Sequence, residues 1–240
     1  MLCTKLPWLA IVATWLAFSA QANPFPTGGG LDRYPRRTIA GVSVIDTPLK
    51  CIMRCWLLGT LMLQHNNTLQ SIVDPEVHAI ASILHDLDFD RSPNSTIFTL
   101  DHRFEVDGAI AARNFIRAHR HGNQWEERRV QLVWDAIALH GEDKIALFKE
   151  PEVAAVTKSV ALDFSGPALG VTAAEYAAVM GAFPQDNFKA SVIETTTWLC
   201  RTKPETTYET FLQPYGERFV PGYSAVGHRA IDLVLGMSSG

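Results

Sequence analysis

Beyond residue 50, apolar side chains recur three and four positions apart through most of the chain. Almost no stretch alternates with the period of two that marks a strand. The pattern predicts helices over 51–64, 75–87, 104–119, 125–140, 151–165, 173–183, 187–201 and 224–236. The punctuation agrees with it. Asp74 and Pro75 read as an N-cap followed by the first helical position, Gly141 as a stop, and Thr172-Ala-Ala-Glu175 as a capping box. The expected fold is all-α, a helical bundle without internal repeat or low-complexity tract.

Residues 23–48 are rich in Pro and Gly, lack periodicity, and read as an extended lead-in. Ahead of them, 1–22 reads as a secretory leader: Lys5, an apolar run from Pro7 to Ala20, and the small-residue cleavage site Ala20-Gln21-Ala22. The division is therefore a leader over 1–22, an extended segment over 23–48 and a helical domain over 49–240. It implies a secreted protein with no stable membrane span after cleavage, retention as an anchor being the alternative. Asn66-Asn67-Thr68 and Asn94-Ser95-Thr96 are glycosylation acceptors consistent with that route.

At 47% hydrophobic and 19% charged residues, the 240-residue chain suffices for one sizeable core. A net charge of -4 without a dense Lys/Arg stripe excludes a nucleic-acid footprint, so the expected partner is a small molecule. Oligomeric state leaves no mark. Cys51, Cys55 and Cys200 remain after cleavage, an odd number that implies no disulfide framework.

Polar residues on apolar stripes are the candidates for chemistry. Val77, Ile80, Ala81 and Leu84 form the buried face of the 75–87 helix, His78, Ser82 and His85 its neighbouring edge, and the helix closes on His85-Asp86. An imidazole and a carboxylate from consecutive positions can converge on one cation. Val130, Val133 and Ile137 lead along their stripe to His140, and Val153, Val156 and Val160 lead to Asp163. His140 reads either as a core histidine bonded to a backbone carbonyl or as a pocket residue acting on substrate. Asp163 reads either as a metal ligand or as an organiser of the Ser165-Gly166 turn, since a buried carboxylate needs a cation or several donors beside it.

Other residues read more simply. His65, His119 and His121 fall at helix ends or in polar loops, and His228 stands near the C-terminus. His78 would support or line a pocket. Asp101, Arg103, Glu105 and Asp107 read as a solvated cap region, with lining the pocket as the alternative. Trp56, Trp134, Phe148, Trp198 and Phe211 read as core packing.

Four stretches occur in a suggestive order: Cys51-Ile-Met-Arg54-Cys-Trp56-Leu-Leu-Gly59, Leu84-His85-Asp86-Leu87, Ala136-Ile-Ala-Leu-His140 and Ala161-Leu-Asp163-Phe-Ser-Gly166. Over about 44–236, the chain resembles the cyanamide hydratase branch of the HD superfamily of metal-dependent hydrolases. The resemblance implies an HD-domain helical bundle holding one divalent metal, zinc foremost and iron or manganese otherwise, through a His, the His-Asp pair and a distal Asp. It also implies addition of water to a nitrile carbon. Carried onto this chain, the metal residues are His85, Asp86 and Asp163, and His140 orients substrate or shuttles a proton.

Two positions depart from the family. Cys51 stands where the family has its first ligand, a His three residues before the Arg, and a thiolate can bind zinc in its place. Asp88 replaces a Gly and adds a carboxylate near the site. The expected activity is metal-dependent hydration or hydrolysis, a lyase- or hydrolase-type reaction on a small molecule. The alternatives are an HD phosphohydrolase, for which no Arg/Lys cluster lies near the pair, and a noncatalytic protein that keeps only the scaffold.

Overall fold

The computed structural model describes residues 38, 39, 42, 43, 46–89, 91, 95–119 and 121–237, all within one compact unit spanning Arg37–Gly240. The proposed leader, most of the extended segment and Asn94 lie outside the described residues. A two-residue antiparallel ladder pairs β1 (Thr38–Ile39) with β2 (Val42–Ser43), Thr38 opposite Ser43. Among the described residues everything else regular is helical. No described helix is long and apolar enough to cross a membrane.

Eleven α-helices follow: α1 (Asp46–Gln64), α2 (Asn67–Ile72), α3 (Pro75–Leu84), α4 (Phe104–Ala118), α5 (Glu127–Ala138), α6 (Asp143–Ala146), α7 (Pro151–Ser165), α8 (Ala173–Ala182), α9 (Phe188–Thr202), α10 (Gln213–Phe219) and α11 (Ala230–Leu235). The long amphipathic ones fall where periodicity predicts them. α1 begins five residues earlier than its apolar stripe, at Asp46. α3 ends at Leu84, and a 3-10 turn over Leu87–Phe89 takes up the remainder of the expected helix. The expected 224–236 helix shrinks to α11 because Gly227 adopts φ +95°, a left-handed conformation that breaks the run. Three helices leave little periodic signal: α2 buries none of its residues, α6 has four, and α10 has seven with Gly216 inside.

The largest core cluster joins α3, α4, α5 and α7 through Val77, Ala81, Ala109, Ala112, Val133, Ile137, Val153 and Val156. A second places Leu58, Met62 and Leu63 of α1 against Ala155 and Leu162 of α7 and Val179 of α8. A third gathers Phe104, Leu199, Cys200 and Leu212 near the C-terminal helices. α7 packs against α1, α3 and α5 and buries residues on every side, so its small residues set how closely the others approach. The tightest approach is at Gly59: a Cβ there would lie 2.0 Å from Ser159 Oγ and 2.4 Å from His78 Nε2.

One contact aligns the two helices that carry the site. Asp74 caps α3 by accepting from the amides of Glu76 and Val77, and Arg129 of α5 grips Asp74 at 2.8 and 3.1 Å and Glu76 at 2.6 Å. The Arg129 guanidinium also lies over the Trp125 ring, 4.2 Å from its centroid. Helices of ten and twelve residues rise about 15 and 18 Å. Tied at their N-terminal ends and packed along their length, α3 and α5 therefore finish at the same level.

Two aromatic assignments are corrected. Phe148 is 87% exposed and Phe211 is 41% exposed, whereas Trp56 is buried and Trp134 and Trp198 pack against the core clusters. Phe148 lies beyond the short α6, where the helical stripe no longer applies, and Phe211 faces the cavity described below. The charged stretch leading into α4 is also less solvated than a cap region: Glu105 and Asp107, in the first turn of α4, are buried and ion-paired.

Candidate metal centre

His85 and His140 occupy equivalent places at the ends of α3 and α5, and each is fixed by the same device. His85 Nδ1 donates to the carbonyl of Ser82 at 2.8 Å, and His140 Nδ1 donates to that of Ile137 at 2.7 Å, each three residues back. A carbonyl can only accept, so the proton sits on Nδ1 and the Nε2 atoms point to the common site. The rings meet edge to face with centroids 4.9 Å apart. Asp86 lies between them, Oδ2 at 3.2 Å from His85 Nε2 and Oδ1 at 3.9 Å from His140 Nε2.

Donor atoms of His85, Asp86 and His140 all lie within 4.8 Å of one another. Tetrahedral bonds of about 2.0–2.1 Å put neighbouring donors roughly 3.3 Å apart, so a divalent cation would draw the three donors closer than their 4.8 Å limit. The negative ends of α3 and α5 favour positive charge there. A second set of donors, Cys51, Cys55 and His85, satisfies the same spacing and shares His85 with the first. All three described cysteines are free thiols.

Burial acts against a charged imidazole at both histidines. At His85 the Asp86 carboxylate and then the Cys51 sulfur outweigh burial and hold the pKa well above its ordinary value. At His140, burial and the neighbouring His85 both push it down. Asp86 is kept below the usual carboxylate range because His85 and His140 overcome the cost of its burial. Cys51 is pushed well up by its hydrogen bond with Cys55 and by burial, so it is a thiol at neutral pH. The groups fit a buried His–Asp ion pair flanked by a neutral imidazole whose Nε2 lone pair is directed inward. The proton between His85 and Asp86 marks a place a cation would take.

Asp163 stands on the far side of Cys51. Arg54 binds both of its oxygens, Nε to Oδ1 at 2.6 Å and Nη2 to Oδ2 at 2.8 Å, with the two side chains 1% and 0% exposed. Gln185 Nε2 donates to its backbone carbonyl at 2.8 Å, and Cys51 Sγ lies 3.5 Å from Oδ2. The structure thus brings His85, Asp86 and His140 into one cluster and Cys51 to its edge, and it gives Asp163 to Arg54. Arg54 is the partner sequence reasoning passed over. The signal was present, since Arg54 shares the buried face of α1 with Cys51, Cys55, Leu58 and Met62. A cation and a carboxylate on the core faces of two helices have to meet.

Asp88 turns away from the cluster. Its Oδ2 accepts from Lys203 Nζ at 2.9 Å, and the same Nζ reaches Asp107 Oδ2 at 3.0 Å, all three groups being buried. Burial pushes Asp88 up to about 7 against the pull of Lys203. His78 does not line the cavity either. It bonds to Ser159 at 3.0 Å between α3 and α7. His65 pairs with Glu175 and His228 with Glu205 near the surface.

The cluster opens into a cavity of about 460 Å³. Cys51, His85, Asp86 and His140 contribute polar groups to its lining, all but Asp86 buried. Phe89, Phe104, Phe164, Phe188, Phe211, Leu212 and Tyr215 form most of the wall, and Arg91, Glu194 and Thr195 lie toward solvent. Arg91 is committed there, its Nη1 on Glu194 and Nη2 on Thr195, each at 2.9 Å. No family model matches the chain, and no curated protein matches it.

Proposed function

We propose that the protein is a metal-dependent hydratase or hydrolase of a small molecule, of HD type, with His85, Asp86 and His140 holding the cation and zinc its most suitable occupant. The observation that carries the reading is the convergence of two imidazoles and one carboxylate on the lining of a cavity. Each imidazole is locked by a backbone carbonyl in the tautomer that metal binding requires. Nitrogen and carboxylate donors suit zinc, with iron or manganese as alternatives. Cys51, at the edge of the cluster, would be a fourth donor only as a thiolate.

A divalent cation in such a site supplies a Lewis acid that acidifies water at neutral pH and polarises a carbon–heteroatom multiple bond. The protein's own part is to place and move protons. Asp86 Oδ2 lies 3.2 Å from His85 Nε2, and Oδ1 lies 3.9 Å from His140 Nε2. For a nitrile, one C–O bond would form as Oδ1 takes a proton from water and returns it to the nitrogen, giving an imidic acid; transfer of the remaining hydroxyl proton to the same nitrogen gives the amide, and no group leaves. The Phe wall keeps bulk water from competing.

The alternatives fare less well. Phosphate-ester cleavage needs cations for the phosphate, and among the described residues the one guanidinium lining the cavity, Arg91, is already paired with Glu194. A noncatalytic scaffold has in its favour that Cys51 is a thiol and Arg54 occupies Asp163.

Elemental mass spectrometry of the purified chain decides between enzyme and scaffold. The enzyme reading expects about one zinc, iron or manganese per chain. Metal should be lost in both Asp86→Ala and His140→Ala while circular dichroism keeps the helical signal. A folded wild-type protein that takes up no metal after dialysis against zinc sinks the proposal. The proposed export through a leader over 1–22 is checked by N-terminal sequencing of the protein recovered outside the cell, with Asn23 expected first.

A further inference from the structure

The cavity is far too large and too apolar for the smallest substrates the chemistry allows. A molecule of three heavy atoms occupies less than about 100 Å³ on the scale of water's ~30 Å³, while the cavity holds about 460 Å³. Its lining includes two aromatic groups. In the first, Phe104 meets the His140 ring edge to face at 5.6 Å, stacks on Phe89 at 5.0 Å and takes Phe211 edge-on at 6.1 Å. In the second, Phe164 lies against Phe188 at 5.1 Å, and the Arg54 guanidinium sits over Phe188 at 4.9 Å. Gly141 lets the first group close in: a Cβ there would lie 2.7 Å from Phe211. Phe164 and Phe211 remain 58% and 41% exposed although they line this recess, apolar surface that a ligand would cover.

Building on the metal-site reading, we infer that the substrate is a neutral, aromatic small molecule. Its ring lies between the Phe104–Phe211 and Phe164–Phe188 walls, and its reactive polar group points to His85, Asp86 and His140. Ring faces and edges give such a ligand both stacked and edge-on partners. A phosphate or a fully polar molecule would instead leave the walls wet and meet, among the described lining residues, an Arg91 already paired with Glu194.

Binding of benzonitrile, propionitrile and phenyl phosphate to the full chain tests this, read by tryptophan fluorescence and by the shift in thermal midpoint. It is run once with zinc and once in chelator, the chelator arm reading binding free of turnover. Benzonitrile should bind about tenfold or more tighter than propionitrile, as the extra buried carbons require. Phe164→Ala and Phe211→Ala, both at partly exposed positions, should remove most of that advantage. Equal affinity for the two nitriles, or tighter binding of phenyl phosphate, overturns the inference. Aromatic preference that persists in chelator, in a chain that takes up no zinc, keeps the ligand class and discards the enzyme reading. Zinc bound without any aromatic preference does the reverse.

Discussion

The pairing of Arg54 with Asp163 allows a quantitative test, because both groups are essentially inaccessible to water and are joined by two short bonds. Replacing Asp163 with Leu strands a guanidinium among apolar atoms, and replacing Arg54 with Met strands a carboxylate. Breaking a buried pair from one side costs about 3–5 kcal/mol, most of it the desolvation of the remaining charge. With both replaced, no charge is left to strand. The loss then reduces to packing and to the donors released from Asp163, about 3 kcal/mol or less. The coupling between the sites should therefore be about 3 kcal/mol or more. Urea unfolding followed by circular dichroism, in chelator so that bound metal does not contribute, reads it out. With a slope near 2 kcal/mol per molar, each single variant should lower the midpoint by about 1.5–2.5 M. If the double variant loses the sum of the single losses, the pair is not an interacting unit and the account of this part of the core fails. The folded double variant also discriminates between ligand sets. It retains metal if His85, Asp86 and His140 suffice, and it loses metal if Asp163 is a ligand.

Two further predictions concern the contact of α1 with α3 and α7. Helix propensity alone makes Gly59→Ala stabilising by about 1 kcal/mol. With Ser159 Oγ and His78 Nε2 within 2.4 Å of the new Cβ, overpacking should instead leave a net loss of about 2 kcal/mol, and a raised thermal midpoint would refute the close approach. His78 is buried, and burial takes its pKa from the ordinary 6.5 to about 4. The unfolded chain binds that proton first, so the contribution is fully present above pH 6.5 and is lost as pH falls toward 4. It amounts to about 3 kcal/mol. His78→Gln should flatten the stability–pH curve across that window, and an unchanged slope between pH 6.5 and 4 counts against it.

Much of this protein can be read along the chain. The 3.6-residue period of the apolar positions, the Asp74-Pro75 start, the Thr172-Glu175 capping box and the Gly141 stop all act within one turn of helix. Their consequences are local, and the helices stand where these residues put them. Placing His85-Asp86 at the end of an apolar helix is equally local, as is an inward-facing His140. Which of these groups meet is a different kind of fact. Arg54 and Asp163 lie 109 positions apart and Asp88 and Lys203 lie 115 apart, and no period connects them. Each was obliged by burial to find an opposite charge, but only packing of α1 on α7, and of α9 near the turn after α3, decided which one. The same packing brought His140 beside Asp86, put Cys51 at the edge of the cluster and gathered scattered phenylalanines onto the lining of one cavity. Burial of charge demands a partner, and the tertiary structure alone chose it.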